Sequence, residues 1–508
     1  VTGTAVADAG AEVLIGNRVT PLTASARTAV RNPARTGEVV GEAALGTPAD
    51  VDAAVRAAHD AFGPWSRTSP HERAAVLLDA VAELRPLAAE LDRLLTREQG
   101  KLRWEARLDV GGAAHILEYY TGLATELAEE RVLRSDSRGT VWLARRPMGV
   151  TGVIVPWNSP VYLGFLGIAP ALMAGNTVVV KPSELAPLAL HRVLRTLAAK
   201  LPDGVLNSVP GTGSAGAALV EHPLVRKIFF TGSTETGRRV LAGAAGTLKR
   251  VSLELGGNDP ALVLDSARIT DRLVSELVQG VYGMSGQVCF NVKRIYVHRS
   301  HYRDFTDRFR AAVDEITVGD GLDERATMGP LNNRAQLDKV AALVADARAT
   351  GATVHELGRK LDPATWQDGH FLLPHVVTDI DPRADLVTRE QFGPAVPVLP
   401  FDTEDEAVAM ANDTEYGLAA SVWSEDRAHA RQLASRIRSG SVFLNVHRVG
   451  ASSVDMPFGG FNSSGLGRGH GLPALEACTE PQTVADWTDT SGLPGPAPAQ
   501  ARTPVEPR

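Results

Sequence analysis

No charged residue occurs between Arg146 and Lys181, in the segment PMGVTGVIVPWNSPVYLGFLGIAPALMAGNTVVV. So apolar a run belongs either across a bilayer or inside a core. A membrane-spanning helix needs about 20 consecutive apolar residues, and this run is long enough. However, Pro147, Pro156, Pro160 and Pro170 interrupt it, together with Asn158 and Asn176. An internal proline removes a helical hydrogen bond and clashes with the preceding turn, so one continuous helix is excluded. The pattern that fits is buried strand, turn, buried helix, buried strand.

The sequence around it repeats that alternation. VTGVIVP, TVVVKP, VLNSVPG, KIFFTG and KRVSLELGG read as short apolar strands with helical stretches between them. Alternation of this kind implies a parallel α/β sheet with right-handed crossovers. A second α/β block follows, with strands at PALVLD, RIYVH, ATVHEL, AVPVLPF, ASVWS and SVFLNV and helices such as TEDEAVAMAN and RAHARQLASRIR. At 508 residues the chain exceeds what one core sustains, so two α/β domains with a cleft between them are expected. Roughly the first 130 residues read as largely helical, because ADVDAAVRAAHDAF and HERAAVLLDAVAELRPLAAELDRLLTREQG place apolar residues at helical spacing. SRGTVWLARRPMG alternates and is flanked by turns, which predicts a hairpin arm outside both blocks. The tail from Ser491, rich in Pro and Ala, reads as disordered.

Composition narrows the function. Lys and Arg number 52 against 59 Asp and Glu, and no long basic run occurs, which argues against a nucleic-acid partner. Cys289 and Cys478 are the only cysteines, leaving no disulfide framework and no metal-ligand spacing, a usage that suits a reducing cytoplasm. The first residues, VTGTAVADAGAEVLIGNRV, have neither the basic start nor the apolar run of a signal peptide. HERAA and HELGR do not complete H-E-x-x-H, no serine sits in G-x-S-x-G, and no Walker A loop is present.

Chemistry-bearing residues collect at predicted strand ends. GTGSAG, with Gly211, Gly213, Gly216 and Glu235 downstream, matches the dinucleotide-binding pattern. With 48 glycines in the chain the match also arises by chance, and a tight turn is the preferred reading. FFTGSTETG ends a strand at Gly232 and opens a helix with Ser233 and Thr234, suiting either a phosphate or an ordinary N-cap. VVVKPSE sets Lys181 and Glu184 where open sheets bind ligands, as a ribose site or as a solvated loop. VSLELGGN places Glu254 before Gly256 and Gly257, where partial burial would raise its pKa and make it a general base. In VPWNSP, Trp157 precedes Asn158, whose amide is an oxyanion donor or a turn stabiliser beside proline. YGMSGQVCF holds Cys289, as a packing atom or a nucleophile.

In order and spacing, PWN, GNTVVVKPSE, FTGSTETG, LELGG, SGQVC, EQFGP and PFGGFNSSGLGR resemble the motifs of the aldehyde dehydrogenase superfamily, covering the chain from Arg31 to Trp487. The resemblance implies an α/β fold in three parts: a Rossmann-like NAD-binding domain (1–131 and 148–256), a catalytic α/β domain (257–476) and a small β oligomerisation arm (132–147 and 477–490). It implies NAD as cofactor, a small-molecule aldehyde as substrate, no metal, and homodimers or homotetramers joined through the arm. Cys289 would be the nucleophile, Glu254 the general base and Asn158 part of the oxyanion hole. Lys181 and Glu184 would bind the adenosine ribose, and Ser233 and Trp157 would lie near the pyrophosphate. Glu390 would bind the nicotinamide ribose and Phe392 pack near the nicotinamide, with Gly232 and Gly256 also among the cofactor positions. The family does not use GTGSAG as its pyrophosphate loop.

The same resemblance points to Ser159, Leu163, Leu166, Val288 and Phe290 as the positions that shape the aldehyde tunnel. Many relatives have phenylalanine where this chain has Ser159, which leaves room for a bulky, aromatic or long-chain aldehyde. Arg448, beside His447 on the loop before MPFGG, either holds a substrate carboxylate or is an ordinary exposed arginine. Asn258 and Asp259 depart from the common LELGGK, which bears on the local turn. A CoA-acylating dehydrogenase is the rival activity, against which Glu254 argues. A non-catalytic relative is the other alternative, against which the complete set of residues argues.

Overall fold

The computed structural model describes residues 10–20 and 26–489, so the tail from Ser491 lies outside the described residues. The charge-free run folds as the strand Val150–Ile154, the helix Pro160–Met173 and the strand Thr177–Lys181, nearly all of it buried. Pro160 begins the helix, where its missing N–H would have had no partner. Among the described residues no helix is long and apolar enough to cross a membrane.

Val150–Ile154 lies within an eight-stranded sheet whose order is Gly465–Leu466, Arg250–Glu254, Val225–Thr231, Val150–Ile154, Thr177–Lys181, Leu206–Ser208, Val13–Ile15, Arg18–Thr20. The strands from Arg250–Glu254 to Leu206–Ser208 run parallel. From Val150–Ile154 the chain winds outward through Thr177–Lys181 and Leu206–Ser208, then restarts on the other side with Val225–Thr231 and Arg250–Glu254. The carboxyl ends of Val150–Ile154 and Val225–Thr231 therefore flank the point where strand order reverses, the place where open α/β sheets bind ligands.

The second block forms a seven-stranded sheet in the order Thr353–Glu356, His375–Thr378, Ala395–Phe401, Val292–His298, Asp259–Val263, Ala419–Trp423, Ser441–Leu444. Only Thr353–Glu356 is antiparallel to its neighbour. Gly465–Leu466 leaves this half and pairs with Arg250–Glu254, stitching the two sheets together. A separate antiparallel sheet joins Thr479–Trp487, Gly139–Pro147 and Arg131–Asp136, so the hairpin predicted around Arg138 forms, with TEPQTVADW as its third strand.

The amino-terminal region corrects the helical expectation. Val13–Ile15 and Arg18–Thr20 are a hairpin at the edge of the eight-stranded sheet, and Arg27–Asn32 with Arg35–Ala44 and Gly10–Ala11 make a small sheet of their own. Arg18–Thr20, Arg27–Asn32 and Arg35–Ala44 carry charge on an exposed face, and Gly10–Ala11 and Val13–Ile15 are too short to show a pattern, so none has the apolar signature of a long buried strand. Among the described residues the first helix is Pro48–Arg67. The long helical stretch from His71 also divides, into Pro70–Leu84 and Leu87–Gln99, because Pro86 cannot continue the first helix. Thr47 and Ser69 start the first two helices with reciprocal capping boxes.

Candidate active site

Cys289 follows a turn of unusual backbone. The helix Asp271–Tyr282 runs into Gly283–Gly286, where Met284 (φ 53°), Ser285 (φ 58°) and Gly286 (φ 73°) are all left-handed. For a residue with a side chain this conformation costs roughly 1–2 kcal/mol. Three contacts hold it in place. The Met284 N–H donates to Glu105 Oε1 at 2.8 Å, Ser285 Oγ to the Gly329 carbonyl at 2.9 Å, and the Asn332 N–H to Gln287 Oε1 at 3.0 Å. Beyond the cysteine, the buried Lys293 Nζ donates to the carbonyls of Val288, Cys289 and Asn291 at 3.0, 2.7 and 3.2 Å. Cys289 is only partly exposed, and burial pushes its thiol up to about 12, with Lys293 pulling the other way. Cys478 is packed in the core beneath the eight-stranded sheet.

Two residues of the first sheet reach this loop or bear on it. Asn158, 6% exposed, donates from Nδ2 to the Gln287 carbonyl at 3.0 Å, two residues before the cysteine. Glu254 ends its strand, is 6% exposed, and the Gly469 backbone N–H is the one hydrogen-bond donor that bears on its carboxyl among the described residues. Burial holds its pKa well above the usual carboxylate range, against the opposing charge of Arg468. The carboxyl rests on the backbone of Gly459 and Gly469, where a Cβ would come within 2.9 and 3.2 Å of Oε1. Its charge couples to the Cys289 thiol, as do those of Glu390 and Asp259. A buried carboxyl with a raised pKa and little hydrogen bonding to hold its proton equilibrium down has the properties of a general base.

The remaining predicted positions divide. Trp157 and Phe392 meet edge to face, with ring centroids 5.7 Å apart at 88°. Glu390 accepts from the Gly257 N–H at 3.1 Å and lies 4.0 Å from Lys293 Nζ, and a Cβ on Gly256 would fall 2.6 Å from its Oε2. Lys181 is buried at its strand end with Nζ 3.4 Å from Glu184 Oε2, and burial lowers its pKa while Glu184 opposes. Ser233, next to Gly232, caps the helix Thr234–Ala245, accepting from the Thr236 N–H at 3.3 Å. Ser159, Leu163 and Phe290 are half-buried, whereas Leu166 and Val288 are buried.

GTGSAG opens the helix Gly213–Glu221 after Leu206–Ser208, two strands from the reversal point, and Glu235 pairs with Arg239 on a helix surface. Arg448 donates from Nε to Glu276 Oε2 at 2.7 Å, so a protein carboxylate already occupies the group suggested for a substrate. No cluster of His, Cys, Asp or Glu suited to a metal ion occurs among the described residues.

Sequence reasoning missed a polar pair behind the tunnel. Lys101 Nζ donates to Asp109 Oδ2 at 2.7 Å, with both side chains almost wholly buried, and to Ser159 Oγ at 3.3 Å. The other Asp109 oxygen accepts from the Tyr162 N–H at 2.7 Å, satisfying the start of the helix Pro160–Met173. Nothing in the helical stretches around Lys101 and Asp109 signalled this, since Ser159 is remote in sequence.

Fold and site together define an α/β enzyme with a cysteine beside a ligand-binding crevice. The chain belongs to the aldehyde dehydrogenase family, whose sequence profile matches residues 22–484, and it is an oxidoreductase acting on aldehydes. Among solved structures, PnpE from Pseudomonas sp. WBC-3 is 34% identical, with a TM-score of 0.90 over 96% of this chain and 99% of that one. The NAD+ complex of an aldehyde dehydrogenase from Bacillus cereus is 32% identical, with a TM-score of 0.89 over 94% and 97% of the two chains. The betaine aldehyde dehydrogenase of Staphylococcus aureus, in complex with NAD+, is 31% identical, with a TM-score of 0.88 over 93% and 94%.

Proposed function

We propose that the chain oxidises an aldehyde to the carboxylic acid with NAD, through a thioester on Cys289. The observation that carries this reading is the bond from Asn158 to the Gln287 carbonyl, which brings a strand end of the first sheet against the cysteine loop of the second. The crevice also fits a dinucleotide. Lys181 and Glu184 offer a donor and an acceptor at one strand end, the exposed Ser233 and the start of Thr234–Ala245 offer a phosphate site, and Glu390 and Phe392 lie beside Cys289 and Trp157. The Bacillus cereus and Staphylococcus aureus relatives were solved with NAD+.

Bound NAD supplies the hydride acceptor. The chain's own residues perform the rest. Cys289 loses its proton to solvent, and its thiolate forms the C–S bond to the carbonyl carbon. The oxygen of the resulting thiohemiacetal takes hydrogen bonds from Asn158 Nδ2 and the Cys289 N–H. Loss of hydride leaves the thioester. Glu254, in its ionised form, takes a proton from water as the water oxygen attacks the acyl carbon. The C–S bond then breaks, releasing the acid and restoring Cys289. In the same reading, residues 1–131 with 148–256 form the cofactor domain, 257–476 the catalytic domain, and 132–147 with 477–490 an arm that joins copies of a cytoplasmic homo-oligomer.

The test is a panel of aldehydes read by NADH absorbance, with NAD or NADP and with or without CoA. NAD is expected to be favoured on the order of tenfold to a hundredfold in kcat/KM, because the Glu184 carboxylate would meet a 2′-phosphate with like charge. Glu184→Gln should narrow that gap by improving NADP. Turnover that requires CoA would reassign the step that releases the acyl group, and no oxidation of any aldehyde would overturn the reading.

A further inference from the structure

His470 is buried, 4% exposed, and the backbone of Ser453 is the one hydrogen-bonding group that bears on its ring, so at least one ring nitrogen is unpaired among the described residues. Native proteins rarely leave a buried polar side chain unpaired, and such a group calls for an explanation. Its surroundings supply one. The ring meets Tyr162 at 6.2 Å and 75° and Phe458 at 5.3 Å and 34°, and Phe458 in turn meets Phe290 at 5.5 Å. Phe290 follows Cys289 directly, and Tyr162 lies between Ser159 and Leu163 on the helix that follows Asn158. Gly469, the preceding residue, lies against the Glu254 carboxyl. His470 is thus walled by aromatic rings on the elements that carry the nucleophile, the base and the oxyanion donor. Burial lowers its pKa to about 4, so the imidazole is neutral at physiological pH, and no lysine or arginine charge bears on it.

Building on the aldehyde-oxidation reading above, we propose that His470 determines specificity in the aldehyde tunnel by hydrogen-bonding a hydroxyl group on an aromatic aldehyde. A neutral imidazole presents one N–H donor and one nitrogen acceptor, and with the N–H turned to the Ser453 backbone the acceptor stays open. A hydroxyl group can donate to it. A carboxylate cannot, since it only accepts, and a plain hydrocarbon leaves that nitrogen unpaired. The flanking aromatic rings suit an aryl body, and the small Ser159 leaves it room. A site that hydrogen-bonds a substrate hydroxyl rejects the analogue lacking it, because its own polar atoms are then stranded.

The experiment compares kcat/KM for benzaldehyde, 3-hydroxybenzaldehyde and 4-hydroxybenzaldehyde in the wild type, His470→Leu and His470→Gln. The wild type is expected to favour at least one hydroxylated aldehyde by about tenfold or more. His470→Leu should collapse the ratio towards one through a raised KM for the hydroxylated substrate, and His470→Gln, which keeps a donor and an acceptor, should restore part of it. Equal wild-type values with and without the hydroxyl, turnover of alkyl aldehydes alone, or a His470→Leu defect that falls equally on all three substrates would overturn the proposal. Those outcomes leave aldehyde oxidation standing, whereas failure to oxidise any aldehyde rejects the oxidation reading and this inference with it.

Discussion

A thiol held up to about 12 is almost entirely protonated at neutral pH, so Cys289 is a reluctant nucleophile until something draws its proton away. Below its pKa the thiolate fraction rises tenfold per pH unit. Alkylation of Cys289 by iodoacetamide, followed by peptide mass mapping, is therefore expected to accelerate about tenfold per unit from pH 7 to 9 without a plateau. A plateau near pH 7 would show that the resting thiol is already activated. Cys289, Glu254 and Asn158 were legible as candidates because each sits in a short motif beside an apolar strand, Cys289 before one and the other two after one. Lys101, Asp109 and His470 were not. Each gains its meaning from a partner brought in by the fold, Ser159 for the first two and Tyr162 for the third.

The cysteine loop behaves as an element in its own right, clamped from one side by Glu105 and Gly329 and from the other by Lys293. Lys293→Met keeps the length of the side chain and removes all three of its bonds to buried carbonyls. Each stranded acceptor costs about 1–3 kcal/mol before relaxation, so a loss of about 2–4 kcal/mol in unfolding free energy is expected in urea titration, together with lower kcat. A stability within about 0.5 kcal/mol of wild type would show that the carbonyls find other partners. Legibility at this scale followed burial. Thr177–Lys181 was readable because a wholly buried parallel strand is a continuous apolar run. The strands between residues 10 and 44 were not, because the longer ones carry charge on an exposed face and the shortest span only two or three residues. The left-handed pair Met284 and Ser285 was also hidden, since that backbone is imposed by tertiary contacts rather than by glycine.

Across the whole molecule, two large sheets meet at one cleft and the small antiparallel sheet built on Gly139–Pro147 stands apart from them. On that small sheet Val132, Trp142 and Val484 lie opposite one another across the strands, with Val132 54% and Val484 40% exposed. An apolar row on a solvent-facing sheet marks an interface. Light scattering is expected to show a dimer or tetramer, and Val132→Glu with Val484→Glu to shift it to a smaller, still folded species; an unchanged mass would place the interface elsewhere. The two-block architecture was legible from the alternation of strands and helices. The crossing of Gly465–Leu466 into the first sheet was not, because so short a strand has no pattern of its own. The cleft matters because Glu254 comes from one sheet and Cys289 from the loop that enters the other. If they act together, Glu254→Gln should still form the thioester but fail to hydrolyse it, lowering turnover by about 10²–10⁴. The decisive measurement is intact mass spectrometry of Glu254→Gln after mixing with aldehyde and NAD. An acyl adduct that maps to Cys289 is the expected result, and wild-type turnover with no adduct would contradict it.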